Sequence, residues 1–119
     1  DFATRWNGLV RTCFYGDHAR GRNLVLADNN VLTVDRTIWL DTSLGRFHSH
    51  TIKLPANIDH EFKTQIRALT RITRKNSQGN PVSLYLKPAV DDHYAHALNY
   101  AEIALKFLST SSLSTYNWG

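Results

Sequence analysis

The 119 residues suit one domain with a modest core, since 42% of them are hydrophobic. Lysine and arginine number 14 against 10 acidic residues, and the net charge of +4 favours a polyanionic partner without proving one. The single cysteine, Cys13, excludes an internal disulfide. No segment approaches the roughly 20 apolar residues of a membrane-spanning helix. Because the sequence begins without methionine, we expect it to be a piece of a longer protein.

The first third of the chain predicts strands followed by a helix. The segment DFATRWNG is typical of a last helical turn closed by Gly8. The apolar run Leu9–Tyr15 (LVRTCFY) predicts a strand, and NLVLA and VLTVD flank the turn residues DNN, which indicates a hairpin. Asp35 then precedes a predicted helix at Arg36–Phe47, which it caps.

The rest of the chain predicts a second hairpin between two helices. TIKLP predicts a short strand, and Asp59 or Asn57 caps a predicted helix that extends to Thr70. RITRK and VSLYLK form the second hairpin, which turns at Gly79 and Asn80. A last helix is predicted at Asp91–Leu108, followed by a Ser/Thr-rich tail at residues 109–119. The spacing of its apolar residues predicts one buried face, formed by Tyr94, Leu98, Ala101, Leu105 and Leu108.

Two adjacent aspartates, Asp91 and Asp92, stand where the last helix begins. A helix needs only one N-cap, and neighbouring carboxylates repel each other. In one interpretation, one aspartate caps the helix and the other favours its positive end. In the other, the carboxylates bind a hard divalent cation such as Mg²⁺, which prefers oxygen ligands. Two carboxylates on one element do not complete such a site, so the pair leaves both interpretations open.

Basic residues run from the second helix into the second hairpin. A surface that follows a nucleic-acid backbone would need such cations, although a solvated face would carry them equally well. The candidate DNA-binding residues are Arg67, Arg71, Arg74 and Lys75.

The order of these segments resembles the C-terminal nuclease region of the large terminase subunit of tailed bacteriophages and prophages. The resemblance extends from Arg36 to Leu105 and rests on an ordered series rather than on one diagnostic motif. The series is DRTIWLDTSLGRF, TIKLP, DHEFKTQIRALTR, GNPV and DDHYAHALNYAEIAL. The segment RWNGLVRTCFYG is similar to the helix and strand that enter that region.

The resemblance implies a function. Large terminases carry an ATPase motor followed by an RNase H-like nuclease, which cuts concatemeric phage DNA with Mg²⁺ or Mn²⁺. The acidic site of that nuclease takes a carboxylate from each of two strands and one or two from the start of the last helix. Only the last position maps onto this sequence, at Asp91 and Asp92, which are therefore the implied catalytic and metal-binding residues. His93 follows directly and is a candidate for holding a metal-bound water or a phosphate.

The resemblance also implies partners and a location. The partners are double-stranded phage DNA, the small terminase subunit and the portal. The location is the cytoplasm of the bacterial host, and no membrane is involved.

The sequence departs from the family pattern at its beginning. The motor is missing, and neither Asp28 nor Asp35 stands where the two acidic strands belong. We therefore expect an α+β fold, a partial RNase H-like nuclease domain at residues 1–108 with two hairpins and a C-terminal helix packed on a sheet. Such a fragment should be inactive by itself.

Two further expectations arise from a partial domain. The strand at Leu9–Tyr15 would have an open edge, which predicts a strand-mediated homo-oligomer. The alternative to the nuclease is a non-catalytic module that binds DNA or docks to a protein, in which Asp91 and Asp92 only cap a helix.

Overall fold

The computed structural model describes residues 10–23, 25–28 and 30–111. The α+β class is confirmed, because these residues form strands and helices in mixed order. The strands are β1 (Thr12–Tyr15), β2 (Leu26–Asp28), β3 (Val31–Val34), β4 (Thr70–Lys75) and β5 (Pro81–Leu86), and the α-helices are α1 (Arg36–His48), α2 (His60–Ile66) and α3 (His93–Ser111). Asp17–Ala19 form a single turn of 3-10 helix. The chain divides into two compact units, residues 1–39 with 100–119 and residues 40–99.

The first unit contains a three-stranded sheet in the order β1-β3-β2. Strands β2 and β3 pair antiparallel, which confirms the first hairpin, and β1 pairs with β3 in parallel. Strand β1 begins at Thr12, later than the predicted Leu9. Leu9 and the helical turn predicted to close at Gly8 lie outside the described residues.

The core of this unit lies on one face of the sheet. Alternate residues Leu32 and Val34 point to that face and pack with Trp39 and with Ile103 of α3. Tyr15 joins the cluster, and its ring stacks on Tyr100 with a centroid distance of 5.5 Å. The prediction of a C-terminal helix packed on a sheet is therefore confirmed.

The residues by which α3 packs differ from those predicted, so the predicted buried face is wrong. Leu105 is 58% exposed, and Tyr94 and Leu108 are also exposed. The buried positions of α3 are instead Ala95, Asn99 and Ile103, spaced four residues apart. The sequence pattern failed because a polar residue occupies the middle of the buried face.

The start of α1 is confirmed in detail. The Asp35 carboxylate accepts the N–H of Ile38 at 2.9 Å, so it caps the helix as predicted. Its second oxygen accepts the N–H of Gly21 at 2.6 Å, which ties the preceding loop to the helix.

The second unit contains α2 and the hairpin formed by β4 and β5. The Asp59 carboxylate accepts the N–H of Glu61 and so caps α2. Asp59 was one of the two predicted caps, with Asn57 as the alternative. The helix ends at Ile66 rather than at Thr70, because Thr70 already pairs with Leu86 as the first residue of β4.

Residues 51–55, which were predicted to form a strand, have neither strand nor helical structure. The apolar pattern there is too short to specify a strand without a neighbouring strand to pair with. The predicted second hairpin is confirmed: Gly79 has φ +80°, and the Asn76 side chain accepts the N–H groups of Gln78 and Asn80 at 2.9 Å.

The core of the second unit combines an apolar cluster with a buried polar pair. The cluster contains Leu40, Leu69, Tyr85 and Ala95. The polar pair joins Ser43 of α1 to Asn99 of α3, and the Ser43 hydroxyl donates to Asn99 Oδ1 at 3.0 Å. Both residues of the pair are fully buried.

None of the helices in the described parts of the chain has the length and apolar character needed to cross a membrane.

Candidate functional site

The two aspartates at the start of α3 have different surroundings. Asp92 is partly buried, with a side chain that is 22% exposed, and its Oδ2 lies 2.9 Å from Nε2 of His96 one helical turn further on. Asp91 is 71% exposed, and its Oδ1 lies 3.8 Å from Nε2 of His93, which is also exposed. The structure thus forms two aspartate–histidine pairs, and only the Asp92–His96 pair is held in a partly buried position.

The capping of α3 comes from another helix. Gln65 of α2 is buried, and its side-chain carbonyl accepts the backbone N–H of Tyr94 at 2.8 Å. The Gln65 amide group donates to Glu61 Oε1 at 2.9 Å, which fixes which way the amide points. The N–H groups of Ala95 and His96 bond to the backbone carbonyl of Asp92.

These bonds leave both carboxylates available for other contacts. The described bonds of the first turn of α3 come from the Gln65 side chain and the Asp92 carbonyl. Asp92 Oδ2 faces His96, and among the described residues Asp92 Oδ1 has no hydrogen-bond partner. Among the described residues, neither carboxylate therefore acts as the side-chain cap of α3, while the favourable interaction of their charge with the positive end of the helix stays open.

The carboxylates do not form a complete metal site within the part of the chain that the structure describes. No three His, Cys, Asp or Glu side chains there are grouped so that they could hold a metal ion. The donors of Asp91 and Asp92 are carboxylate oxygens, which Mg²⁺ and Mn²⁺ accept, but further ligands would have to come from elsewhere.

The four basic candidates do not share one surface. Arg67 is exposed at the C-terminal end of α2. Because side chains alternate along a strand, Arg71 and Lys75 lie on one face of β4, and Arg74 lies on the other. Arg71 is already paired, since its Nε and Nη2 donate to the two carboxylate oxygens of Asp41 at 2.8 and 3.0 Å.

Asp41 and Tyr85 form a polar cluster with Arg71. The Tyr85 hydroxyl donates to Asp41 Oδ1 at 2.6 Å, and Tyr85 stands opposite Arg71 in the hairpin. The Arg71 hydrogen bonds hold the pKa of Asp41 below its usual value. Burial, and then the bond to the Asp41 carboxylate, raise the pKa of Tyr85 above its usual value.

This cluster borders a groove with a volume of about 740 Å³. The lining residues are Asp41, Leu44, Gly45, Phe47, His48, Ile66, Arg67, Leu69, Arg71 and Tyr85. All of them belong to the second unit.

The sequence pattern indicated Arg67 and Arg71 as candidate DNA-binding residues, but it did not indicate Asp41 or Tyr85 as their neighbours. The sequence contains one signal for this cluster: Asp41 is a charged residue that directly follows the apolar residues Trp39 and Leu40 in α1. A charge at that position needs a buried or bridging partner.

No family model, curated protein or solved structure matches this chain. The terminase resemblance therefore stays a prediction, and a functional proposal has to rest on the chemistry of the residues at the start of α3.

Proposed function

We propose that this chain is the C-terminal part of an RNase H-like nuclease, of the kind that large terminase subunits use to cut concatemeric phage DNA. The observation that carries the proposal is the position of Asp92. Its carboxylate is held by His96 at 2.9 Å at the start of α3, while Gln65 supplies the side-chain cap. A partly buried carboxylate that is fixed in place but not needed as a cap suits a metal ligand.

The residues of this chain would act together at the start of α3. Oδ1 of Asp92 would bind Mg²⁺ or Mn²⁺, and the exposed Asp91 would add a second carboxylate. The bound cations would activate the attacking water and neutralise charge at the scissile phosphate. His96 would keep the Asp92 carboxylate in one orientation, and the exposed His93 would hold a water or a phosphate oxygen.

The proposal requires more of the protein than these 119 residues. The other carboxylates would come from strands of a longer protein, because the described residues contain no third acidic ligand near the pair. The chain alone should therefore be inactive. In the longer protein the partners would be double-stranded phage DNA, the small terminase subunit and the portal.

A second candidate function is a non-catalytic module that docks to DNA or protein. It is favoured by the same incomplete set of ligands, since the described residues bring no third acidic side chain to Asp91 and Asp92. In that module the Asp92–His96 pair would only stabilise the first turn of α3.

Plasmid cleavage distinguishes the two functions. The 119-residue chain and the longer protein that contains it would each be incubated with supercoiled plasmid in Mg²⁺, in Mn²⁺ and in a chelator. The nuclease proposal predicts metal-dependent nicking by the longer protein and none by the chain alone. A longer protein that binds DNA but never cuts it would support the docking module.

The open edge of the sheet is relevant to the oligomeric state of the isolated chain. Strand β1 lies at the edge of the described sheet, with Phe14 exposed beside its backbone. We propose that two copies of the isolated chain pair through this edge. Light scattering that gives the mass of a monomer at high concentration would exclude it.

A further inference from the structure

The groove beside Asp41 has the composition of a site for a small organic anion. Its apolar lining comes from Leu44, Phe47, Ile66 and Leu69. Two arginines, Arg67 and Arg71, and the exposed His48 lie at the same groove. Its volume of about 740 Å³ is within the range of small-molecule pockets, about 300–1,000 Å³.

One arginine of the groove is fixed in position before any ligand arrives. Arg71 uses Nε and Nη2 to bind both oxygens of Asp41. A guanidinium carries five N–H donors, so about three remain for another acceptor. Tyr85 donates to the same carboxylate, and therefore Asp41 is satisfied without taking a second cation.

The other arginine supplies the excess positive charge. Arg67 is exposed, and its side chain has no acidic partner among the residues that the structure describes. Because Asp41 already neutralises Arg71, Arg67 leaves the groove with a net positive charge. An anion that enters the groove would meet this charge next to an apolar surface.

The groove is also open at a helix position where a side chain would normally be. A Cβ placed on Gly45 would meet nothing within 4 Å. Gly45 destabilises a helix relative to Ala, because glycine loses more backbone freedom on folding. Its absent side chain leaves part of the groove unfilled.

We infer that this groove binds a nucleotide, with the flat base against Leu44 and Phe47 and the phosphate at Arg67 and Arg71. The same chemistry is offered by a free mononucleotide and by one nucleotide of a single strand. Neither Asp91 nor Asp92 lines the groove, so the inference does not depend on the proposed nuclease.

The test is a titration of the ¹⁵N-labelled chain with AMP, monitored through the backbone amide resonances in NMR. Shifts are expected at Gly45, Arg67 and Leu69, saturating with one binding constant. Adenosine and inorganic phosphate, tested separately, should each bind at least tenfold more weakly than AMP. A short single-stranded oligonucleotide that displaces AMP would assign the site to a strand, and failure to displace it would assign the site to a free nucleotide.

Two variants at one position provide the matched pair. Gly45→Leu fills the groove and should weaken AMP binding at least tenfold, while Gly45→Ala should keep most of the affinity. Both variants should raise the melting temperature, because each replaces a helical glycine. Arg67→Ala should remove the advantage of AMP over adenosine.

The inference would be overturned by any of three results. These are the absence of saturable shifts at the groove, AMP binding that survives Gly45→Leu, and equal affinities for AMP and adenosine. Metal-dependent cleavage of DNA by the longer protein would be unaffected by any of them, so the two proposals fail separately.

Discussion

The side-chain carbonyl of Gln65 accepts the backbone N–H of Tyr94 at 2.8 Å and so caps the last helix from a neighbouring one. Because Gln65 supplies this cap, the side chains of the two aspartates at the start of that helix are not needed as its cap. A carboxylate that is not needed as a cap, and that His96 holds in a partly buried position, either forms a structural hydrogen bond or is part of a site. Substitutions at this helix start, and in the packing that positions it, separate the two cases.

Replacing Gln65 with Leu should destabilise the second unit. The change removes the acceptor for the Tyr94 N–H, and losing a cap costs about 0.5–2 kcal/mol in the free energy of unfolding. Urea unfolding monitored by circular dichroism measures this loss. Asp91→Ala is the control, and it should change stability by no more than about 0.5 kcal/mol because Asp91 is exposed. If Asp91→Ala lowered the free energy of unfolding more than Gln65→Leu, then Asp91 rather than Gln65 would be the cap.

The buried hydrogen bond between Ser43 and Asn99 should contribute more to the free energy of unfolding than a surface hydrogen bond does. Ser43→Ala removes the donor to Asn99 Oδ1 in a fully buried position, which should cost about 1–3 kcal/mol. Ser49→Ala is the matched control, since the Ser49 hydroxyl is exposed and bonds to Thr51. Equal midpoints of thermal unfolding for the two variants would show that the buried hydrogen bond stabilises the fold no more than the exposed one.

Tyr85 should make the second unit sensitive to alkali. Its pKa is raised in the folded protein, so the stabilisation from the neutral phenol is complete below about pH 10 and is lost as the pH rises through the folded pKa. Tyr85→Phe should lower stability at neutral pH, because the bond to Asp41 is lost, and should flatten the decline above about pH 10. Unfolding measured from about pH 8 to about pH 12 tests both effects. An identical alkaline decline in wild type and variant would rule out this role for Tyr85.

Binding to a DNA duplex should use one face of the hairpin only. Arg74 and Lys75 lie on opposite faces of β4, so a backbone that contacts one cannot contact the other in the same way. Replacing the contacting residue with Ala should reduce the slope of log affinity against log salt by about 0.9, and replacing the other should leave it unchanged. Fluorescence anisotropy over a range of salt concentrations measures these slopes. If neither substitution changed the slope, Arg74 and Lys75 would both be solvated residues that do not contact DNA.

The sequence predicted the fold where local signals were strong. Asp35 was predicted as a cap, and Asp59 as one of two alternatives with Asn57, because each precedes an apolar periodic segment; the Asp35 and Asp59 caps both form. The two hairpins were predicted from Asn, Asp and Gly at the turns, since those residues tolerate the backbone angles that the turns require.

The errors arose where tertiary contacts override the local pattern. The buried face of α3 was misassigned because Asn99 counts as polar in a pattern, whereas Ser43, distant in sequence, satisfies it in the core. The cap from Gln65 was invisible for the same reason, as it comes from a different helix. Asp41 and Tyr85 were missed because their partner Arg71 was interpreted as a surface cation.

The most direct test of the proposed metal site replaces Asp92 with Asn in the longer protein that the proposed nuclease requires. Asn keeps the shape of Asp but removes the negative charge that a divalent cation needs. Asp59→Asn is the control, because Asp59 is a cap and Asn caps about as well as Asp. We predict that Asp92→Asn abolishes metal-dependent plasmid cleavage with little change in melting temperature, while Asp59→Asn cleaves at the wild-type rate. Wild-type cleavage by the Asp92→Asn and Asp91→Asn variants alike would contradict it.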